Sequence, residues 1–233
     1  MVIFETITAE VGDIFLLSAD NARHVAGSLR TKVGESLLIC DGARTNYVCT
    51  IFSIDAQDVH VKVENIEQSQ TELSAEVTLY VCLPKGDKLS FVVEKAVELG
   101  ATKIVPVISR YCVSRPSVFE PKRKRLQNVA RAAAGQCGRG IIPEVTDIIT
   151  FEEAVNSADI LFYENSESVM GEVGTLSEIG IIIGSEGGFS EEEVQLAKDK
   201  GLQIATLGRR ILRCETAAVA ALSLIMGKIE KII

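Results

Sequence analysis

Hydrophobic and polar positions along the 233 residues change their rhythm about a third of the way in. Up to residue 70 the apolar side chains come in short runs of β-type composition, Ser36 to Cys40, Tyr47 to Ile54 and Val59 to Val63. Asp41-Gly42 is a strong turn signal between the first two, and Asp55 to Asp58 makes a looser one before the third. One helical stretch interrupts this β-rich part, from Asp20 to Leu29, with Ser18 or Asp20 placed to cap its first amides. The segment Glu64 to Ser74 is polar and weakly patterned, which suits a linker and puts a domain boundary near residue 71. The expected division is therefore 1–70 and 71–233.

From residue 75 onward the pattern alternates. Val77 to Leu83, Lys103 to Val107, Ile160 to Tyr163, Ile179 to Ile183 and Gln203 to Leu207 read as strands. Lys88 to Leu99, a long stretch from Pro121, Glu191 to Lys200 and Glu215 to Lys228 read as helices. Strands alternating with helices predict an α/β fold whose mostly parallel sheet carries helices on its faces. Sites in such sheets lie beyond the carboxyl ends of the strands.

Composition narrows the function classes. Apolar residues at 47% and charged residues at 24% fit a globular chain with a proper core. A net charge of -8 excludes coating nucleic acid by bulk positive charge and leaves room only for local basic patches. The six cysteines form no CxxC pair, so free thiols in a reducing compartment are expected. Met1 to Glu5 lacks the basic flank and apolar stretch of a signal peptide. The longest uncharged apolar-rich run, Thr216 to Lys228, is too short to span a membrane, so a soluble cytoplasmic protein without a membrane partner is expected. His24 and His60 are the only histidines, and no metal site is expected from them.

Three stretches carry candidate chemistry. Ile181-Ile-Ile-Gly-Ser-Glu-Gly-Gly-Phe-Ser190 follows the most apolar strand, and its glycines at 184, 187 and 188 let backbone turn sharply and approach a ligand. Ser190 with Glu193 makes a capping box for the next helix. An ordinary glycine-rich turn has the same pattern. It fits neither a phosphate loop, nor a dinucleotide fingerprint, nor a hydrolase nucleophile elbow. Thr206-Leu-Gly-Arg-Arg-Ile-Leu-Arg-Cys-Glu-Thr-Ala-Ala218 is again a strand end, a glycine and a helix start, combining Leu207, Ile211 and Leu212 with three guanidiniums. An apolar slot suits an adenine ring and an arginine suits phosphate or a developing anion. The alanine-rich helix beyond it permits close packing on another helix or a second subunit, or is simply buried. Lys122-Arg-Lys-Arg125, leading to Arg131, Gln136 and Arg139, is either a solvated helix face or a local field for a polyanion, extended by Arg23, Arg30, Lys32 and Arg44.

Taken together, IGSEGGFSEEE, LGRRILRCETA, LPKGDK, VEKAVELG and Gln136-Cys-Gly-Arg139 closely resemble the bacterial small-subunit rRNA (uracil-N3)-methyltransferases of the knotted SPOUT class. The stretch RHVAGSLRTKVGESLLICDG resembles that family's PUA-like β-barrel RNA-binding domain. The resemblance covers essentially the whole chain. It implies a C-terminal trefoil-knot methyltransferase domain, a homodimer, and S-adenosylmethionine held by Leu83 to Lys85, Gly184 to Gly188 (Ser185 and Glu186 included) and Leu207 to Arg213, with Gly208, Ile211, Leu212 and Thr216 at the cofactor. The RNA partner would be 16S rRNA of the small ribosomal subunit, methylated at uridine N3 in the decoding region. Arg23, Arg30, Lys32, Lys122, Arg123, Arg125, Gln136, Arg139 and Arg210 are its candidate RNA contacts. Two positions depart from the family pattern: Ser185 stands where a proline is common, and Gly135 where an acidic residue often precedes the glutamine.

Uracil N3 carries a proton at neutral pH, so transfer requires an anion spread over the neighbouring carbonyl oxygens, which a guanidinium favours. Arg213 is the first choice for that role. Glu186 is a candidate base, or equally a residue that orients its loop through backbone amides. A SPOUT enzyme acting on another RNA and a non-catalytic RNA-binding assembly factor are the alternative functions.

Overall fold

The computed structural model describes residues 1–56, 58–114, 119–171 and 177–232. The chain divides into two units, Met1–Glu72 with Ala134–Ile142, and Leu73–Ala133 with Pro143–Ile233. The boundary near residue 71 thus falls at Glu72. The return of Ala134–Ile142 to the first unit has no counterpart in the hydrophobic pattern.

In the first unit, β1 (Ile3–Phe4), β2 (Ile14–Leu16), β3 (Ser36–Cys40), β4 (Thr45–Asp55) and β5 (Asp58–Gln68) form one sheet in the order β1-β3-β4-β5-β2. Among the described residues of this sheet only β1 and β3 pair in parallel. Val59, Val61 and Val63 alternate inward on β5 and pack with Ile39, Cys49 and Ile51, as a sheet with one covered face requires. Between β3 and β4 the carboxylate of Asp41 accepts the amides of Ala43 at 2.7 Å and Thr45 at 3.0 Å, with Gly42 at φ +80°. This is the predicted Asp-Gly turn. Of the second predicted turn, residue 57 lies outside the described residues. The predicted helix is split into α1 (Ala19–Arg23) and a π-helical turn, His24–Leu29, closed by Arg30 in the left-handed region. The expected linker is shorter than its composition suggests, because β5 runs on to Gln68.

The returning segment explains two residues. Arg139 is 5% exposed, and its guanidinium meets the carboxylate of Glu72 at 2.6 Å, whose side chain is 3% exposed. Gly140 donates its amide to the same carboxylate at 2.9 Å. Burial pushes the Glu72 carboxyl up, but the hydrogen bonds and charge of Arg139 outweigh it and hold it below the usual carboxylate range. Gly135 accepts the amide of Val2 at 2.7 Å, and a Cβ on Gly135 would lie 2.7 Å from the Val2 carbonyl oxygen. No side chain fits there without a shift of that backbone.

The second unit contains β6 (Glu76–Cys82), α2 (Lys88–Glu98), β7 (Lys103–Ile108), most of α3 (Glu120–Cys137), β8 (Glu144–Val145), β9 (Ile149–Thr150), α4 (Phe151–Ala154), β10 (Ile160–Phe162), β11 (Glu178–Ile183), α5 (Glu191–Asp199), β12 (Gln203–Ala205) and α6 (Cys214–Ile229). Its strands are all parallel in the order β12-β10-β11-β6-β7-β8, with β9 also on β7. Ile181, Ile182 and Ile183 are buried on both faces of β11, as a central parallel strand demands. Leu89, Val92, Val93, Ala96 and Val97 form the buried stripe of α2 at helical spacing.

Removing one partner of a buried ion pair leaves the other charge uncompensated. Glu72→Ala is expected to destabilise the first unit by about 3–5 kcal/mol in urea unfolding. Because the folded carboxyl is depressed, its contribution is present above the ordinary carboxylate range and is lost as pH falls through the folded value. The stability gap between wild type and Glu72→Gln should therefore shrink on acidification.

Candidate functional site

β10 lies between β12 and β11, and its register sets Phe162 level with Ala205 on one side and Ile183 on the other. The chain leaves all three strands at the same height. Tyr163 and Glu164 follow β10, Gly184 to Gly188 follow β11, and Thr206 to Leu212 follow β12. These three exits surround a pocket that is partly open to solvent. The two glycine-bearing turns picked out in the sequence thus share one cavity.

Of the residues expected at a cofactor, Gly184, Ser185, Gly188, Leu207, Gly208 and Leu212 line this pocket, as does Arg210, which was expected at RNA. The turn between β11 and α5 is closed by the Gly188 amide donating to the Ser185 carbonyl at 3.0 Å. Gly188 has φ +66°, and a Cβ there would sit 2.5 Å from a carboxylate oxygen of Glu164. The Ser185 hydroxyl is buried and makes no well-formed hydrogen bond, with the Cys112 thiol close by. Thr206 Oγ1 accepts the Gly208 amide at 3.1 Å and fixes the second turn. Ser190 caps α5 as predicted: it accepts the Glu193 amide at 3.2 Å while Glu193 accepts the Ser190 amide at 2.9 Å. The other Glu193 oxygen accepts the Arg110 amide at 2.7 Å, tying the loop after β7 to the start of α5.

Other expected cofactor residues do not line the cavity. Leu83 is buried and donates its amide to Val107 at 2.9 Å. Lys85 turns its amide to both carboxylate oxygens of Glu186 at 3.2 Å. Gly187 faces Tyr111, whose Cβ would be 2.6 Å from a Cβ on the glycine. Ile211 is 86% exposed and Thr216 is exposed on the first turn of α6. Glu186 also receives Lys88 Nζ at 2.8 Å, and the same ammonium lies 3.4 Å from Glu215. Partial burial works to raise the Glu186 carboxyl, but Lys88 and the Lys85 amide outweigh it and hold it low. Lys88, which the sequence reading missed, thus links the loop after β6, the glycine turn and α6. Cys214, on the pocket wall, is pushed up to about 12 by burial and then by the charges of Glu186 and Glu215, so it stays a neutral thiol.

A family model described as an RNA methyltransferase domain matches residues 71–226, and one described as an RNA methyltransferase PUA domain matches residues 17–64. Ribosomal RNA small subunit methyltransferase E of Rickettsia conorii is 32% identical over 225 residues, covering 92% of this chain and 90% of that protein. The chain belongs to the ribosomal RNA small subunit methyltransferase E family. Its relative in Bacillus subtilis is 29% identical over 238 residues, covering 95% of this chain and 93% of that one. The crystal structure of the Neisseria gonorrhoeae methyltransferase E bound to S-adenosyl methionine is similar at a TM-score of 0.88 and 29% identity, over 96% of this chain and 95% of that one.

For a member of this rRNA methyltransferase family, the cations sort by what they already hold. Arg139 is a correction: buried against Glu72, its guanidinium is not presented to a polyanion. Arg123 pairs with Glu120 at 2.8 Å and Asp147 at 3.2 Å, Arg125 with Asp87, and Arg23 with Asp20. Such partly exposed pairs are worth little and can be exchanged for phosphate. Arg30, Lys32, Lys122, Arg210 and Arg213 have no ion pair among the described residues, and Gln136 is exposed. Arg213 sits at the N-cap of α6 between the lining residues Leu212 and Cys214, with its side chain exposed.

Gly188→Ala tests the turn. A left-handed backbone costs an L-residue about 1–2 kcal/mol even if Glu164 swings aside, and urea unfolding should show a loss of that size.

Proposed function

We propose that this protein methylates N3 of a uridine in 16S rRNA of the small ribosomal subunit, in its decoding region, using S-adenosylmethionine. The observation that carries the reading is the convergence of the two glycine-bearing turns on one pocket, with Arg213 exposed at its rim and in no ion pair among the described residues. The likeness to a relative solved with S-adenosyl methionine supports the same assignment. We also read the returns after β11 and β12 as parts of the trefoil knot of the SPOUT class.

The pocket residues fit such a cofactor. Leu207 and Leu212 offer apolar walls for an adenine ring, Gly184 and Gly188 let the backbone come close, and the buried Ser185 hydroxyl makes no well-formed hydrogen bond among the described residues. When bound, the sulfonium group supplies an electrophilic methyl and needs no metal. The protein's own residues then have to position the acceptor and stabilise its anion. Arg213 is the side chain for that anion, because its guanidinium has no competing carboxylate among the described residues. Glu186 acts as the loop-orienting residue: a carboxylate already held by Lys88 and the Lys85 amide is a poor proton acceptor. N3 lies on the pairing edge of the base, so the target must be unpaired or extruded before transfer. The exposed cations Arg30 and Lys32 on the first unit, with the half-buried Lys122 and the exposed Arg210 on the second, are the proposed RNA contacts.

The working species is proposed to be a homodimer. α2 and α6 pack together, and Phe91 at 46% and Leu224 at 38% exposure leave apolar surface on the pair.

Incubation of unmodified small ribosomal subunits with the protein and isotopically labelled S-adenosylmethionine should give N3-methyluridine in 16S rRNA by mass spectrometry. Label in another RNA, or at another atom, would overturn the acceptor. Arg213→Ala is expected to lose transfer by about 10²-fold or more while binding the cofactor with nearly unchanged affinity in calorimetry. An unimpaired rate would remove its role. In analytical ultracentrifugation the wild type should sediment as a dimer and Leu224→Glu as a monomer.

A further inference from the structure

The pocket holds a carboxylate that the sequence motifs did not mark. Glu164 follows β10, the strand between the two glycine turns, so the register of the sheet alone brings it to the cavity wall. Its carboxylate lies over the backbone of Gly188 and closes the side of the cavity formed by the first turn. The residue is exposed, and its carboxylate makes neither an ion pair nor a hydrogen bond among the described residues. Every other charged or hydroxyl-bearing neighbour differs from it in kind. Arg210 is a donor only, the Tyr163 hydroxyl accepts from Asn165 Nδ2 at 3.1 Å, Ser185 carries a buried hydroxyl beside the Cys112 thiol, Thr206 is occupied by Gly208, and Cys214 is a neutral thiol. Among the described residues the cavity therefore has one carboxylate without a partner, in the same lining as the apolar side chains of Leu207 and Leu212.

We infer that Glu164 is a cofactor-binding residue that accepts the two ribose hydroxyls of the adenosyl group, through the site formed by Glu164 and the Gly188 turn. The inference rests on the adenosyl reading of this pocket given above. Two carboxylate oxygens match two vicinal hydroxyl donors, and each such bond is charge-assisted. The glycine matters to the same end: a side chain at 188 would occupy the place where the carboxylate now stands. An acid on the ribose hydroxyls is also the device by which dinucleotide folds hold a nucleoside, reached here from a different strand order.

The test is calorimetric and needs no RNA. S-adenosylhomocysteine, its 2′,3′-dideoxy counterpart and 5′-methylthioadenosine are titrated into the wild type and into Glu164→Gln, an isosteric change at an exposed position. Thermal unfolding of both proteins verifies that the variant is folded, and Glu164→Asp serves as a second variant that keeps the charge on a shorter stem. Glu164→Gln is expected to weaken S-adenosylhomocysteine and methylthioadenosine alike, by about 10- to 100-fold, and to leave the dideoxy compound unchanged. Unchanged affinity for S-adenosylhomocysteine overturns the inference. So does an equal loss on the dideoxy compound, or a loss that spares methylthioadenosine and thereby points to the amino-acid ammonium instead. If the wild type binds none of the three, the adenosyl reading itself fails.

Discussion

The parallel register of β12, β10 and β11 is the constraint on which the site depends. One row of paired residues, Ala205, Phe162 and Ile183, fixes where the chain is released from each strand. A slip of one residue in any strand would turn its core side chains to the opposite face and carry the turn beyond it out of line. The buried isoleucines of β11 hold the register, since each would expose apolar surface if the strand moved. Pocket residues separated by more than forty positions in sequence therefore need no contacts of their own to stay together. The sheet supplies their alignment.

Around that frame the polar groups fall into two kinds. Some are fully engaged and hold backbone in place: the Ser190 and Glu193 box, Glu193 on the Arg110 amide, and Glu186 between Lys85 and Lys88. Others make no well-formed side-chain hydrogen bond or ion pair among the described residues at the cavity or its rim, namely the Ser185 hydroxyl, Glu164, Arg210 and Arg213. Unmet polar groups cost stability when buried, and here they gather where a polar ligand could meet them. The engaged set keeps the unengaged set from collapsing onto itself.

Local features of this arrangement were legible in the sequence. The capping box needs only residues three apart, and the Asp41-Gly42 turn only two neighbours, so short-range chemistry decided both. The strands of the second unit follow from apolar runs bounded by helical ones. Positions fixed by long-range neighbours were not legible. Glu164 looks like any acid at a strand end until β10 is known to lie between β12 and β11. Lys88 gains its meaning from Glu186 and Glu215, 98 residues away in the first case. Arg139 reads as a phosphate ligand by type, and only the approach of Glu72 across 67 residues turns it inward. Gly135 carries no turn signal because the backbone of Val2, not a sharp bend, forbids its side chain.

The closing of the first unit by Ala134–Ile142 orders events during synthesis. When Glu72 emerges, the arginine that neutralises it is still 67 residues from being made. At roughly 5–20 residues per second, the ribosome needs about 3–13 s to supply it. Throughout that interval the nascent β-rich segment must keep this carboxylate hydrated or protonated, so its last stage of consolidation waits for translation to pass well into the following unit.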